Sequence, residues 1–245
     1  MKRNKWRAAF SGVLVSSFVL LFAHALAGDS SSQVLNRIKE KYESFENEIK
    51  DMRLVMEIET DATGTPVRAR QTVLKKGEKI RVESFISLPS EKPETSIFIY
   101  DGENSWVISP EKGMTEQFPR DKARQFQTEE KWWNKVLERA KVKGEEQIGG
   151  KEAFVIEIED EEGGPPASLW IEKEDLVLLQ AESRTAGGKS TKWVFSDFRK
   201  VNHWDMPYKT EMFVGDALQS TSTIKSFEIN KGLSDEVFIP ETARK

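Results

Sequence analysis

The sequence predicts a mainly β protein, built as a single antiparallel sheet with a few α-helices. Short runs in which apolar and polar residues alternate recur through most of the chain, and this is the period of a half-buried strand. Turn residues separate these runs at short intervals, so consecutive strands are expected to pair as hairpins. No internal repeat or linker divides residues 28–245, which are therefore expected to form one domain.

The first 27 residues differ from everything that follows. A basic stretch over residues 1–7 precedes an apolar run over residues 8–22, and Ala25-Leu26-Ala27 comes next. This is the pattern of a secretory signal peptide, and the run is short for a membrane span. Residues 1–27 are expected to be a signal peptide cleaved before Gly28, which predicts a soluble protein of the periplasm. An uncleaved N-terminal anchor is the alternative.

The composition restricts the chemistry of the chain. It has no cysteine, so it can form no disulfide and cannot carry the acylated cysteine of a bacterial lipoprotein. His24 lies in the signal, which leaves His203 for the mature chain, so a zinc site of the usual type is excluded and no metal or cofactor is expected. Cleavage removes four of 37 basic and none of 41 acidic residues, taking the net charge from −4 to about −8, and nucleic acid is therefore not expected as a partner.

A helix opens the mature chain. Ser30 and Gln33 have the spacing of a capping box. The apolar face that follows recurs at three and four residues and consists of Leu35, Ile38, Tyr42, Phe45 and Ile49.

From Met52 the period changes to two. The predicted strands lie at 52–59, 67–74, 79–86, 97–100, 105–109, 153–159, 168–172, 176–183, 192–198, 208–214 and 221–229. Asp101-Gly102 between two of these runs is a strong hairpin signal. A second helix, Thr128 to Lys141, is predicted to interrupt the strands, with Gly144 ending the pattern and Trp132 and Trp133 on the helix.

Catalytic patterns are scarce in this sequence. It contains no glycine-rich phosphate loop after a strand and no nucleophile elbow. His203-Trp204-Asp205 offers a hydrolase a base and a carboxylate to orient it, but residues this close are expected to form a turn before Pro207. The protein is expected not to be an enzyme, and hydrolysis remains a lesser alternative.

The aromatic residues suggest an apolar ligand instead. A long antiparallel sheet can curl into an open barrel whose inner face is filled by side chains, a helix or a ligand. An ordinary core is the alternative for any one of these residues, because alternation does not tell which half of each strand faces inward. The candidate lining of the cavity comprises Leu54, Met56, Phe98, Trp106, Ile108, Trp132, Trp133, Trp170, Trp193 and Phe195.

Four stretches, taken in order, resemble the periplasmic lipoprotein-carrier (LolA/LolB-like) superfamily, and especially its outer-membrane lipoprotein-sorting branch. The first is Ile99-Tyr100-Asp101-Gly102-Glu103-Asn104-Ser105-Trp106-Val107, and the second is Leu169-Trp170-Ile171. The third is Phe195-Ser196-Asp197-Phe198-Arg199-Lys200-Val201, followed by Met206-Pro207. The last is Asn230-Lys231-Gly232-Leu233-Ser234-Asp235-Glu236-Val237-Phe238-Ile239-Pro240. With the signal and the first helix, the resemblance covers nearly all of the mature chain.

The resemblance implies an incomplete antiparallel β-barrel covered by helices, with a cavity that shelters acyl chains. It implies a chaperone-like transport role in outer-membrane biogenesis for a monomer, with an inner-membrane donor and an outer-membrane acceptor as partners. Carriers place an arginine soon after the second strand, where this chain has Lys75-Lys76-Gly77 and, further on, Arg81. Lys76 and Arg81 are therefore the candidate polar contacts. A sensor that uses the same cavity to regulate a partner is the alternative function.

Overall fold

The structure is a computed structural model of the 245-residue chain. It describes residues 30–61, 66–89, 92–118, 137–159, 167–184 and 188–240. The predicted signal peptide, and the part of the predicted second helix that carries Trp132 and Trp133, lie outside the described residues.

The described residues begin with a helix and continue in thirteen strands. Helix α1 is Ser31–Glu48, and it starts with the predicted capping box between Ser30 and Gln33. The strands are β1 (Asp51–Thr60), β2 (Val67–Lys76), β3 (Lys79–Ser87), β4 (Glu94–Tyr100), β5 (Ser105–Ser109), β6 (Met114–Phe118), β7 (Ala140–Ile148), β8 (Lys151–Ile158), β9 (Ala167–Glu172), β10 (Leu178–Arg184), β11 (Ser190–Val201), β12 (Trp204–Val214) and β13 (Ala217–Ile229). Short 3-10 helices follow β5 at Pro110–Lys112 and β13 at Asp235–Phe238.

All thirteen strands belong to one antiparallel sheet. Their order is β6-β5-β4-β3-β2-β1-β13-β12-β11-β10-β9-β8-β7. Every neighbouring pair but one is consecutive in the chain, as short turns between alternating runs predict. The exception, β1 beside β13, joins the first strand to the last. Edge strands β6 and β7 do not pair with each other, so the sheet is open and the prediction of a mainly β, incomplete barrel is confirmed.

The prediction of helix and strand was wrong at two places. Strand β6 was missed, because its residues are mostly exposed and show no alternation of burial. The predicted end of the second helix is also wrong: Ala140 and Lys141 begin β7, and Gly144 lies at a register shift between β7 and β8 rather than at a helix end. Ala140 lies four residues after Val136, which fits a helix, but Ala140 and Val142 pair with Ile158 and Ile156, so pairing with β8 overrides the helical spacing.

The two faces of the sheet are covered by different ends of the chain. Helix α1 buries Val34 and Ile38 against Phe154, Ile156 and Ile171, and we call the face that carries these strand residues the helix face. The segment after β13, residues 230–240, packs on the opposite face. There Phe238, which is fully buried, contacts the cluster around Ile99 and Trp106.

The C-terminal segment is held to the sheet by polar contacts as well as by Phe238. The buried carboxylate of Asp51 accepts hydrogen bonds from the backbone N–H groups of Lys231 (2.9 Å) and Gly232 (3.0 Å). Lys76 Nζ donates to the carbonyl oxygen of Leu233 (2.9 Å), and Arg81 donates to that of Val237 (3.1 Å). A buried carboxylate with two donors is satisfied, so these contacts fix the path of residues 230–240 over the sheet.

Candidate functional site

The strand register builds a continuous apolar surface on the helix face. Residues paired directly across antiparallel strands point to the same side of the sheet. The first row of such partners crosses β4, β3, β2, β1 and β13, and it consists of Phe98, Val82, Val73, Leu54 and Phe227. Five apolar side chains in a row on one side of five strands can form part of a binding surface or part of a core.

Successive rows on the same face extend this surface towards β11. Two residues further along β1, past a register shift, Met56 pairs with Ile224 of β13. In the next rows Ile58 connects through Ser222 and Thr210 to Phe195, and Met212 pairs with Trp193. We call the apolar members of these rows the apolar patch, which comprises Leu54, Met56, Ile58, Val73, Val82, Phe98, Trp193, Phe195, Met212, Ile224 and Phe227.

Every side chain of the apolar patch is only half-buried. The fully buried residues of the helix face lie to either side of it, under α1 and beside Tyr208, Val201 and Ile229. A patch this large that stays partly exposed is unusual for a closed core and is typical of a surface that receives an apolar partner.

The opposite face of the same central strands is charged. Glu57 pairs with Lys225 (2.8 Å), and Lys209 pairs with Glu211 (2.8 Å). Arg68 and Glu59 make a further pair at 3.2 Å. Beside the buried Val55, the central strands therefore carry ion pairs on the opposite face and apolar side chains on the helix face.

The structure separates the predicted lining residues into two groups. Leu54, Met56, Phe98, Trp193 and Phe195 share the helix face and belong to the apolar patch. Trp106, Ile108 and Trp170 lie on the opposite face.

The residues of the second group have structural partners there. Trp106 is 7 % exposed and packs with Ile99 and Phe238, and Ile108 borders the same cluster. Trp170 packs against Val177 and Leu179, and its indole N–H donates to Glu146 Oε2 at 2.8 Å.

The predicted polar contacts also lie away from the apolar patch. Lys76 contacts Leu233 and Asp235, and Arg81 contacts Val237 and Glu83. Both side chains therefore act on the C-terminal segment of the opposite face. Trp132 and Trp133 lie outside the described residues.

Six members of the apolar patch were missed by the sequence analysis. They are Ile58, Val73, Val82, Met212, Ile224 and Phe227. Ile58 continues the alternation of Leu54 and Met56, so it could have been found from period alone. The others needed the strand pairings β1 with β2 and with β13, β2 with β3, and β11 with β12. Period two tells which residues of one strand share a face but not which face is the same in another strand.

His203 lies in the turn between β11 and β12, as predicted, and its side chain is 63 % exposed. The turn is shorter than predicted, because Trp204 and Asp205 already belong to β12 and pair with Val201 and Lys200. Its Nε2 is 3.4 Å from Glu48 Oε2 at the end of α1, while the carboxylate of Asp205 contacts Lys200. A cavity of about 250 Å³ beside it is lined by Lys41, Glu174, Asp175, Leu176, Lys200, His203, Trp204 and Asp205. Burial lowers the pKa of Lys41, whose ammonium contacts the carbonyl oxygen of Asp175. These contacts hold α1 to the β11–β12 turn through His203 and to the β9–β10 connection through Asp175.

Among the described residues, the structure shows neither a candidate metal centre nor a membrane-spanning helix. Within the ranges that the structure describes, no group of three or more His, Cys, Asp or Glu residues is placed to hold a metal ion. In the same ranges, no helix has the length and apolar character needed to span a bilayer.

Comparison with solved structures identifies the architecture. A DUF1329 family protein from Desulfovibrio piger superimposes with a TM-score of 0.62 at 13% identity, covering 88% of this chain and 100% of the other. A putative outer membrane lipoprotein-sorting protein domain from Vibrio parahaemolyticus gives 0.56 at 13% identity, over 83% of this chain and 97% of the other. The chain has the LolA-like fold. A LolA superfamily protein from Nitrosomonas europaea agrees, with a TM-score of 0.52 at 15% identity over 87% of this chain and 99% of the other.

The LolA-like fold is shared without close sequence similarity. No family model matches the chain, and no curated protein matches it in sequence. At identities of 13% to 15% the comparison establishes the architecture, and the role of the chain must be argued from its own residues.

Proposed function

We propose that this protein is an exported, non-enzymatic carrier that binds the acyl chains of lipoproteins or lipids on the apolar patch. The observation that carries the proposal is the two-sidedness of the central strands. Their helix face presents half-buried side chains such as Leu54, Val73 and Phe195, whereas their opposite face presents ion pairs. The Vibrio and Nitrosomonas proteins of the same fold are named for lipoprotein sorting and the LolA superfamily, which supports the same ligand class.

The energetics suit a carrier. An acyl chain in water costs about 0.8 kcal/mol per methylene, so a chain of a dozen carbons needs an apolar surface to offset about 10 kcal/mol. Because the side chains of the apolar patch are already half-buried, covering them with an acyl chain recovers only part of this free energy. The cargo can therefore still be released. Such a surface needs no reacting group. Trp132 and Trp133 are proposed to complete it.

The predicted signal peptide places this activity in the periplasm. The proposed partners are an inner-membrane donor and an outer-membrane acceptor of the lipidated cargo. Delivery towards the outer membrane then follows from transfer between two surfaces of different affinity, with the protein as the soluble intermediate.

The test is binding of a fluorescent acyl probe to delipidated protein. Phe195 and Val194 are adjacent on β11, are both half-buried and face opposite sides of the sheet, so they form a matched pair. We expect Phe195→Ser to raise the Kd about tenfold or more, because most of a phenyl contact is lost, and Val194→Ser to change it less than twofold. Wild-type protein that binds no acyl probe, and purifies without lipid by mass spectrometry, would contradict the carrier function.

A further inference from the structure

Four methionines lie near one another on the helix face. Met52 and Met56 alternate along β1, and Met206 and Met212 lie on β12, while β13 runs between these two strands. Met56 and Met212 belong to the apolar patch. Met52 and Met206 border it, packed on the buried cluster around Ile229. All four side chains are half-buried, so a ligand on the apolar patch would meet thioether groups as well as hydrocarbon.

Each of the four methionines has a hydrogen-bond donor as a direct cross-strand partner. Directly opposed residues lie on the same side of the sheet, with Cβ atoms about 4.5–5.5 Å apart. A thioether sulfur is a weak acceptor and makes little use of such donors. The pairs are Met52 with Lys75, Met56 with Gln71, Met206 with Arg199 and Met212 with Ser220.

Oxidation of the thioethers would give these donors a strong acceptor. The chain has no cysteine, so no thiol competes for a peroxide. In the reaction a sulfur lone pair attacks one peroxide oxygen and the O–O bond breaks. The second oxygen takes up the proton of the first and leaves as water, so the sulfur loses the two electrons that the peroxide gains. The product is methionine sulfoxide, whose polar oxygen finds a donor across the strand pair.

Oxidation would also change what the apolar patch offers to a ligand. Met56 lies between Leu54 and Ile58 along β1, and Met212 lies beside Trp193. A sulfoxide at either position places a hydrated polar group inside the apolar surface, and an acyl chain that covers it removes this hydration without replacing it. Among the described residues the fully buried core contains no methionine, so the packing of the core does not depend on these thioethers.

We propose that Met56 and Met212 form an oxidation site on the apolar patch, where a peroxide converts both thioethers to sulfoxides. The oxidised protein stays folded and loses affinity for its apolar ligand. The inference rests on the proposed carrier function, since it describes a chemical control of the same surface. Methionine sulfoxide reductases return the sulfoxide to the thioether, so the loss of affinity is reversible.

The test is treatment of the folded protein with hydrogen peroxide, followed by titration with the fluorescent acyl probe. Peptide mass spectrometry measures the sulfoxide fraction at each methionine, and thermal denaturation checks the fold. We expect the Kd of wild type to rise about fivefold or more, because two polar groups are desolvated on binding. Reduction by methionine sulfoxide reductases A and B should return it to within about twofold of the untreated value.

Variants locate the effect through the ratio of the Kd after treatment to the Kd before it. Met56→Leu combined with Met212→Leu removes both sulfur atoms from the apolar patch, and its ratio should stay near one. Met114→Leu is the matched control, since Met114 is 43 % exposed on edge strand β6, outside the apolar patch. Its ratio should equal that of wild type.

Four results would overturn the inference while untreated wild type still binds the probe and the carrier function stands. They are sulfoxides at both positions with an unchanged Kd, an equal rise of the Kd in the double variant, unfolding of the treated wild type, and thioethers that resist peroxide in the folded protein. Untreated wild type that binds no probe overturns both proposals.

Discussion

At the scale of single residues, tryptophans that look alike in sequence have different surroundings. Trp106 is buried on the opposite face against Phe238, and Trp193 is half-buried on the helix face beside Met212. Each lies in a strand and is followed by a valine. Only the register shows that Trp106 supports the C-terminal segment and that Trp193 faces the proposed ligand. Their substitutions should therefore act on different properties.

We expect Trp106→Leu to lower the free energy of unfolding by about 2 kcal/mol, because it leaves a cavity in a packed cluster, and to leave acyl-probe affinity within about twofold. Trp193→Leu should do the reverse, with a stability change below about 1 kcal/mol and affinity reduced severalfold. Urea denaturation and probe titration measure the two quantities. Loss of binding in Trp106→Leu at wild-type stability would place the ligand on the opposite face.

At the scale of elements, one side of α1 packs on the sheet through apolar residues and the other side faces solvent. Val34 and Ile38 are 1 % and 2 % exposed, whereas Lys39 lies on the solvent side and pairs with Glu43. Burial also raises the pKa of Tyr42 from 10.0 to about 12, because the ionised phenolate would lose its hydration on the apolar side of α1. The adjacent residues 38 and 39 thus provide a matched comparison.

Ile38→Ala should reduce the free energy of unfolding by about 2–4 kcal/mol through the cavity that it leaves. Lys39→Ala should change it by less than about 0.5 kcal/mol, since it removes only an exposed ion pair. Chemical denaturation of both variants compares the two. A similar small effect for both would mean that α1 is not packed on the sheet in solution.

The C-terminal segment is the other attached element, and part of its attachment depends on pH. Hydrogen bonds from Lys79 (2.9 Å) and Lys76 (3.2 Å) lower the pKa of the Asp235 carboxyl below its ordinary value of 3.8. A lowered carboxyl pKa stabilises the folded state above pH 3.8, and this stabilisation disappears as the pH falls through the folded-state pKa.

Asp235→Asn should therefore lower the melting temperature slightly at pH 7, and the difference from wild type should vanish as the pH falls below 3.8. High salt at pH 7 should also shrink it, since the pair is exposed. Thermal denaturation between pH 7 and pH 2.5 gives both values. A difference that stays constant over this range would show that the carboxylate contributes no charge-dependent stability.

At the scale of the whole molecule, the open sheet contains one strand pair that is distant in the chain, and its other pairs join consecutive strands. Eleven of its twelve strand pairs follow chain order, and β1 beside β13 brings the two ends of the described chain together. The apolar patch extends across the β1–β13 pair, since Leu54 of β1 pairs with Phe227 of β13. The apolar patch therefore forms only once β1 has paired with β13.

Export is a prediction about the whole molecule as well. N-terminal sequencing of protein made in a bacterial host should find Gly28 at or near the first position, in the periplasmic fraction, because Ala25-Leu26-Ala27 is the expected cleavage site. Replacing Ala25 and Ala27 with bulky residues should block processing. An intact Met1 on membrane-bound wild-type protein would support the uncleaved anchor instead.

Local patterns in the sequence determined much of this protein. Period two located most of the strands, the Ser30–Gln33 capping box and the three- and four-residue spacing located α1, and turn residues implied antiparallel hairpins. These features depend on neighbours in the chain, so a sequence displays them directly. The same patterns failed for β7, because Ala140 lies four residues after Val136, as on a helix, and two residues before Val142, as on a strand.

Only the tertiary structure decided which residues share a surface. Pairing of β1 with β13, and of each hairpin with the next, fixes the side of the sheet to which every alternating residue points, and a shift of one position would exchange the two faces. It placed Phe98 and Phe195 on the helix face and Trp106 and Trp170 on the other. The physical reason is that a strand's own alternation is symmetric, and only contacts with α1 and the C-terminal segment distinguish one face from the other.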